Sequence, residues 1–225
     1  MDFSSKQKKS LGYVIDVDMG YGHARAAYAL RDFATHGIIT ANRYPGIPPS
    51  ERALWKRWQE GYETLSRLQP LPIIGPLSFQ IMEKFQEIAE FYPKRDLSKP
   101  NLALNQAMRL IRHYGLGKHL VASINEDPLP AICTHPIPAF ALEEHGYKGD
   151  IWCVPTDADV ARPWVSVNPQ QSRIRYCCAN GRLMERLQQY GVSADRLFLT
   201  GFPLPKENLG NNTDLAILRA DLARR

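Results

Sequence analysis

Three short clusters hold the side chains of this sequence that could do acid–base or binding chemistry: Gly20-Tyr21-Gly22-His23, Thr134-His135-Pro136 and Thr156-Asp157. In the first, Gly20 and Gly22 allow close backbone approach, and exposed N–H groups at a helix start favour an anion or a polar oxygen. His23 falls in the first turn of that helix, where the macrodipole disfavours an imidazolium and keeps the ring neutral near pH 7. A neutral imidazole facing a cleft accepts a proton, a general-base role worth roughly 10²- to 10⁴-fold in rate. The competing reading is a first-turn histidine that only bonds nearby backbone. Asp157 is a candidate to orient a hydroxyl or assist its deprotonation, against an alternative as a side-chain cap on a loop. His135, next to Pro136, reads as readily as a turn residue. The glycine turn is not a dinucleotide fingerprint, because Arg25 stands where the third glycine of G-x-G-x-x-G would be.

For these clusters to meet, each must leave the carboxyl end of a strand in one open parallel sheet, where the ligand crevice lies. Short apolar runs do alternate with helix-like segments, the pattern of parallel strands joined by crossover helices. Residues 13–18 read as a strand, 24–33 as an Ala-rich helix closed by His36-Gly37, and 37–44 as a second strand. A helical insertion at about 46–115 follows between proline-marked joints. Its apolar faces are Leu54, Trp58, Tyr62 and Leu65, then Leu77, Ile81, Phe85, Ile88 and Tyr92, then Leu104, Met108 and Ile111. Alternation resumes with strands at 130–134, 150–154, 174–179 and 197–200 and helices at 138–145 and 182–190. After Gly201 a linker rich in Pro, Asn and Gly leads to a helix-like 214–225. The expected fold is α/β: a Rossmann-like parallel sheet with helices on both faces and a helical insertion after the second strand.

At 225 residues the chain fits one large domain with short appendages. Residues 1–10, with Lys6, Lys8 and Lys9, read as a flexible basic tail, 11–205 as the domain, and 206–225 as a linker into a further domain. With 44% hydrophobic and 23% charged residues the composition is that of a globular chain, which excludes disordered and collagen-like classes. No apolar stretch reaches the roughly 18 residues of a membrane span, and Asp16 and Asp18 interrupt any signal-peptide core, so the chain reads as cytoplasmic. Cys133, Cys153, Cys177 and Cys178 lie in apolar runs without the spacing of a zinc site and read as reduced core residues. The net charge of +5 favours anionic partners, but no nucleic-acid recognition motif accompanies it, and nucleic acid is not expected as a partner. Trp55 and Trp58 beside Arg52, Lys56 and Arg57 allow a peripheral membrane contact, against core packing of both tryptophans. The acidic Glu83, Glu87 and Glu90 oppose the membrane reading.

Taken in order, Gly20-Tyr21-Gly22-His23 and its Ala-rich helix, Thr134-His135-Pro136, Thr156-Asp157 with Arg162-Pro163-Trp164, and Gly201-Phe202-Pro203 resemble the monogalactosyldiacylglycerol synthase and MurG-like glycosyltransferases of the GT-B fold. The similarity covers most of residues 13–205 with compatible spacing. It implies that this is the acceptor-binding half of an inverting, UDP-sugar-dependent glycosyltransferase with a lipid acceptor. The donor sugar nucleotide would be held mainly by a second, C-terminal domain, with no metal and no further cofactor. His23 and Asp157 would be catalytic, and Gly20, Tyr21, Gly22, Thr134, His135, Thr156, Arg162, Gly201 and Pro203 would bind substrate. Without the donor half, which stabilises the departing UDP, the chain would be nearly inactive. Tyr21 in place of a glycine, Arg162 in place of a histidine and Pro205 in place of an arginine depart from the family pattern, which bears on the identity of the acceptor more than on the fold. Two other classes fit the same features: a non-catalytic ligand-binding or regulatory module, and a nucleotide-sugar epimerase-like enzyme.

Overall fold

Six short strands form one parallel sheet in the order β2-β1-β3-β4-β5-β6. They are β1 (Gly12–Asp16), β2 (Ala34–Thr40), β3 (Ala131–Cys133), β4 (Ile151–Cys153), β5 (Arg175–Cys178) and β6 (Leu197–Leu199). Among the described residues the helices are α1 (Tyr21–Ala29), α2 (Pro49–Leu68), α3 (Leu102–Tyr114), α4 (Lys118–Ile124), α5 (Pro136–Glu144), α6 (Gly181–Gln189) and α7 (Ala216–Ala223). This computed structural model describes residues 12–68, 87–210 and 215–224. The architecture is the expected α/β Rossmann-like one.

The two-residue period of the strands sorts the sheet into two faces. Tyr13, Ile15, Ala131, Cys133, Ile151, Cys153, Tyr176 and Cys178 point into the main core with the apolar sides of α3, α4, α5 and α6. Leu104 and Ile111 of α3 are fully buried there, each worth about 1.5–3 kcal/mol in apolar burial. On the other face α1 packs against β1, and its fully buried Ala26 and Ala27 let the helix backbone lie close to the strand. All four cysteines are free; Cys133, Cys153 and Cys178 are buried and Cys177 half-buried, as core residues of this sheet.

Several boundaries differ from the sequence reading for local reasons. Helix α1 begins at Tyr21 and ends at Ala29, and a 3-10 turn, Arg31–Phe33, leads into β2 at Ala34. His36 and Gly37 therefore lie inside β2 and do not close a helix. Gly37, at φ 77°, sits where the β1/β2 register shifts between Gly12↔Ala34 and Val14↔Ile38, so its left-handed conformation serves a strand bulge. Helix α4 was not expected; its short span is started by Gly117, at φ 82°, and capped from outside by Glu51 of α2. That carboxylate accepts from the backbone N–H groups of Gly117 at 3.2 Å and His119 at 3.0 Å.

The insertion also differs. Residues 87–101 are irregular, so Ile88 and Tyr92 are exposed and lie on no helix. Leu77, Ile81 and Phe85 and the basic tail 1–10 lie outside the described residues. Trp55 is buried and Trp58 packs on the core, while Arg52, Lys56 and Arg57 are exposed. The tryptophans thus face inward, as the core-packing alternative has it, and are not membrane-surface anchors. Among the described residues no helix is long and apolar enough to cross a membrane.

Candidate functional site

The strand order reverses between β1 and β3: the chain leaves β1 toward β2 on one side and leaves β3 toward β4 on the other. Loops after such neighbours diverge and leave a crevice at the carboxyl edge. The Gly20–His23 turn, Thr134-His135 and the loop after β4 all open there.

At the first of these, Gly20 adopts φ 132° and ψ 145°, which swings the chain from the loop after β1 into α1. A Cβ at that φ is strained, and it would approach His23 Cδ2 at 3.8 Å. At Gly22 nothing lies within 4 Å of where a Cβ would be, so the backbone of the turn is open to a ligand. Tyr21 stands at the mouth, 79% exposed, with the Arg25 guanidinium 5.9 Å from its ring centroid.

His23 is held from across the crevice. Its Nδ1–H donates to the Thr134 carbonyl at 2.7 Å, and Thr156 Oγ1 stands 3.4 Å from the same nitrogen. A carbonyl only accepts, so the proton is on Nδ1 and the lone pair is on Nε2. Among the described residues no hydrogen bond engages Nε2. Burial holds the imidazole pKa below its ordinary value, opposed by the Thr134 carbonyl and by the negative charges of Asp157 and Asp16. His23 is therefore a neutral base at pH 7.

His135 caps α5, its Nδ1 accepting the Ile137 N–H at 3.2 Å, so its own proton is on Nε2. Burial and the neighbouring His23 keep its pKa well below the ordinary histidine range. The His135 ring meets His23 edge-on at 4.7 Å, and Trp164 approaches His23 at 5.8 Å and His135 at 6.4 Å. Thr134 itself is fully buried, contributing its carbonyl to His23, with its Oγ1 unpaired. Asp157 is exposed at the same rim and acts on His23 through its charge, without a hydrogen bond to it among the described residues.

Three predicted binding residues are placed away from the open rim. Arg162 is 5% exposed, and its guanidinium donates to the carbonyls of Ser98 (2.6 and 3.0 Å), Val165 (2.7 Å) and Ser166 (3.0 Å). Its donors are taken by backbone, so it ties the loop after β4 to residue 98 and is not offered to a ligand. Gly201 and Pro203 follow β6, four strand spacings from β1, or about 19 Å. Gly201, at φ 78°, bonds back to the Cys178 carbonyl at 3.2 Å, and no hydrogen bond or ring contact joins this turn to the His23 cluster among the described residues.

Sequence reading missed two participants. Asp16, the last residue of β1, is 5% exposed with Oδ1 unpaired, and burial raises its pKa against the pull of Thr40, Arg43 and His23. A carboxylate ending an otherwise apolar strand was its visible signal. Trp164 carried no separate signal beyond its place after Arg162-Pro163. The loop bearing it and Thr156 is fixed by a second buried arginine: Arg186, fully buried, bonds Asp159 at 2.9 and 3.2 Å and the Ala89 carbonyl at 2.6 Å. These ties hold Asp159 ionised despite its partial burial.

Hollows also lie elsewhere. One of about 520 Å³ is bordered by Lys94, Asp96 and Glu185, and one of about 280 Å³ by Arg112, Glu143 and Arg173. Neither is lined by a histidine, so the chemistry points to the open rim around His23 and not to these hollows. No protein-family model, curated protein or solved structure matches this chain, so its functional reading rests on the fold and on this cluster.

Proposed function

We propose that this chain is the acceptor-binding half of an inverting, nucleotide-sugar-dependent glycosyltransferase of the GT-B type, with His23 as its general base. The observation that carries the reading is the tautomer of His23. With Nδ1–H on the Thr134 carbonyl, the basic nitrogen is the one left unbonded, on a ring whose pKa is lowered by burial. In the reaction an acceptor hydroxyl gives its proton to Nε2 as its oxygen forms the bond to the anomeric carbon. The bond from that carbon to the β-phosphate breaks, and UDP leaves with the electron pair. The imidazolium so formed is stabilised by the charges of Asp157 and Asp16, which already raise the ring's proton affinity. The Gly20–Gly22 backbone and Thr156 offer polar groups to the acceptor, and a separate donor domain supplies the charge stabilisation of UDP.

The acceptor end of the reaction faces the cytoplasm in this reading. A peripheral contact with an anionic leaflet would use the exposed Arg52, Lys56 and Arg57 of α2 and not its buried tryptophan. The test uses the protein of the full reading frame that contains this chain, assayed for UDP release and glycoside formation from UDP-sugars. His23→Ala is expected to lower turnover by roughly 10²- to 10⁴-fold. Undiminished turnover in that variant contradicts the base assignment.

A further inference from the structure

Trp164 is a half-buried aromatic side chain at the rim of the crevice whose polar atom has no partner among the described residues. Its ring centroid lies 5.8 Å from that of His23 and 6.4 Å from that of His135, both imidazoles tilted against it at 38° and 45° and not stacked on it, and the indole packs in part against the hydrophobic core. Among the described residues no hydrogen bond engages its N–H and no cation lies over its ring. Trp152, within β4, differs: Arg175 lies 5.3 Å from its ring centroid and Phe198 at 5.0 Å. Trp164 is also rigidly mounted. It ends the 3-10 turn Arg162–Trp164, where its backbone N–H donates to the Ala161 carbonyl at 3.2 Å, and Arg162 of the same turn is fastened to three carbonyls.

Around this half-buried indole the rim is polar: Thr156, exposed Asp157, the open Gly20–Gly22 backbone and the lone pair of His23. A fixed aromatic face edged by hydrogen-bonding groups matches a ligand with one apolar C–H face and a hydroxyl-bearing edge. A pyranose ring has that shape. A glycerol headgroup lacks the flat face, and a nucleobase lacks the ring of hydroxyls. We infer that Trp164 is the platform for a pyranose ring of the acceptor, so that the acceptor is a glycoside with one hydroxyl directed at His23 Nε2. The word acceptor rests on the proposed function; the stacking of a sugar ring on Trp164 does not.

The test is an NMR titration of this chain with methyl β-D-glucopyranoside and methyl β-D-galactopyranoside, with glycerol and uridine as controls, following the Trp164 indole N–H and the His23 ring. At least one glycoside is expected to give saturable shifts at both groups, and glycerol none. Trp164→Ala is expected to weaken binding about tenfold or more, and Trp164→Tyr, which keeps an aromatic face, by no more than about threefold. Amide spectra of both variants check that the fold persists, and the tyrosine variant keeps the test decisive if the alanine one unfolds. No saturable shift with either glycoside, equal shifts with glycerol, or a response of Trp164 to uridine alone overturns the proposal. Glycoside binding without any sugar transfer by the full protein leaves Trp164 as a sugar platform and removes the transferase reading. Transfer to a hydroxyl acceptor with an unchanged KM in Trp164→Ala does the reverse.

Discussion

The carboxyl edge of the sheet has two ends built from similar parts, and they behave differently. At the β1/β3/β4 end, a glycine turn, a Thr-His-Pro and a Thr-Asp loop gather Thr134, His135, Thr156 and Trp164 around His23. At the β5/β6 end, Gly201-Phe202-Pro203 has the same composition of glycine and proline after a strand, yet its contacts are local. Its backbone bonds Cys178, and the chain then turns back to the far end of α1, where Glu207 meets Arg31 at 2.9 Å and Tyr28 at 3.1 Å. The strand order separates the two. Between β1 and β3 the crossovers leave in opposite directions and open a gap, while β5 and β6 continue in one direction and leave none.

The sharpest break between the ends is in turnover. His23→Ala should remove roughly 10²- to 10⁴-fold of any sugar transfer by the full protein, and Gly201→Ala should leave it nearly unchanged. Arg186→Ala comes next: it leaves the Asp159 carboxylate without its buried partner, and a loss of about 3–5 kcal/mol is expected in urea unfolding. The same variant should shift the Thr156 and Trp164 amide signals, because the loop they occupy loses its anchor. Arg162→Lys, which replaces a planar fork by a single ammonium, should lose about 1–3 kcal/mol and disturb Trp164 in the same way. An unshifted Trp164 in that variant would detach the arginine tie from the site.

A smaller effect is expected from pH. His23 and His135 both have folded-state pKa values depressed by burial, so above the ordinary histidine pKa of about 6.5 they are neutral in folded and unfolded chains alike. As pH falls below about 6.5 the unfolded chain takes up protons that the folded one refuses, and stability drops until the folded pKa is passed. His135→Asn keeps an acceptor for the Ile137 N–H and should flatten that limb in denaturant unfolding between pH 7 and 5. The smallest effect is at the far end: Gly201→Ala, at φ 78°, should cost about 1 kcal/mol in stability while leaving the His23 ring signals in place.

Much of the frame was legible because it depends on short-range pattern. The apolar runs at 131–133, 151–153 and 175–178 announced buried parallel strands, and the loops after them announced where a crevice would be. The first turn of α1 was placed late because Tyr21 and Gly22 are poor helix markers, and their helical state follows from the packing of Ala26 and Ala27 on β1. Helix α4 escaped notice because its N-terminal cap, Glu51, lies 66 residues from Gly117. Distance along the chain also hid the role of Arg162, whose acceptor Ser98 is 64 residues away. Residue type indicated a guanidinium near the crevice, but only the fold shows that carbonyls occupy it. Gly201 and Pro203 were grouped with the site by likeness of motif, and sheet order, which no local pattern encodes, separates them from it.

The central claim is that His23 presents a bare, basic Nε2 to the crevice while its Nδ1 proton is held by the Thr134 carbonyl. Nitrogen-15 NMR of the imidazole ring, recorded across pH 4 to 8, reads the tautomer and the pKa together. The expected result is the Nδ1–H tautomer with a pKa below the ordinary 6.5. An Nε2–H tautomer, or a ring that is half protonated at or above that value, would contradict the account.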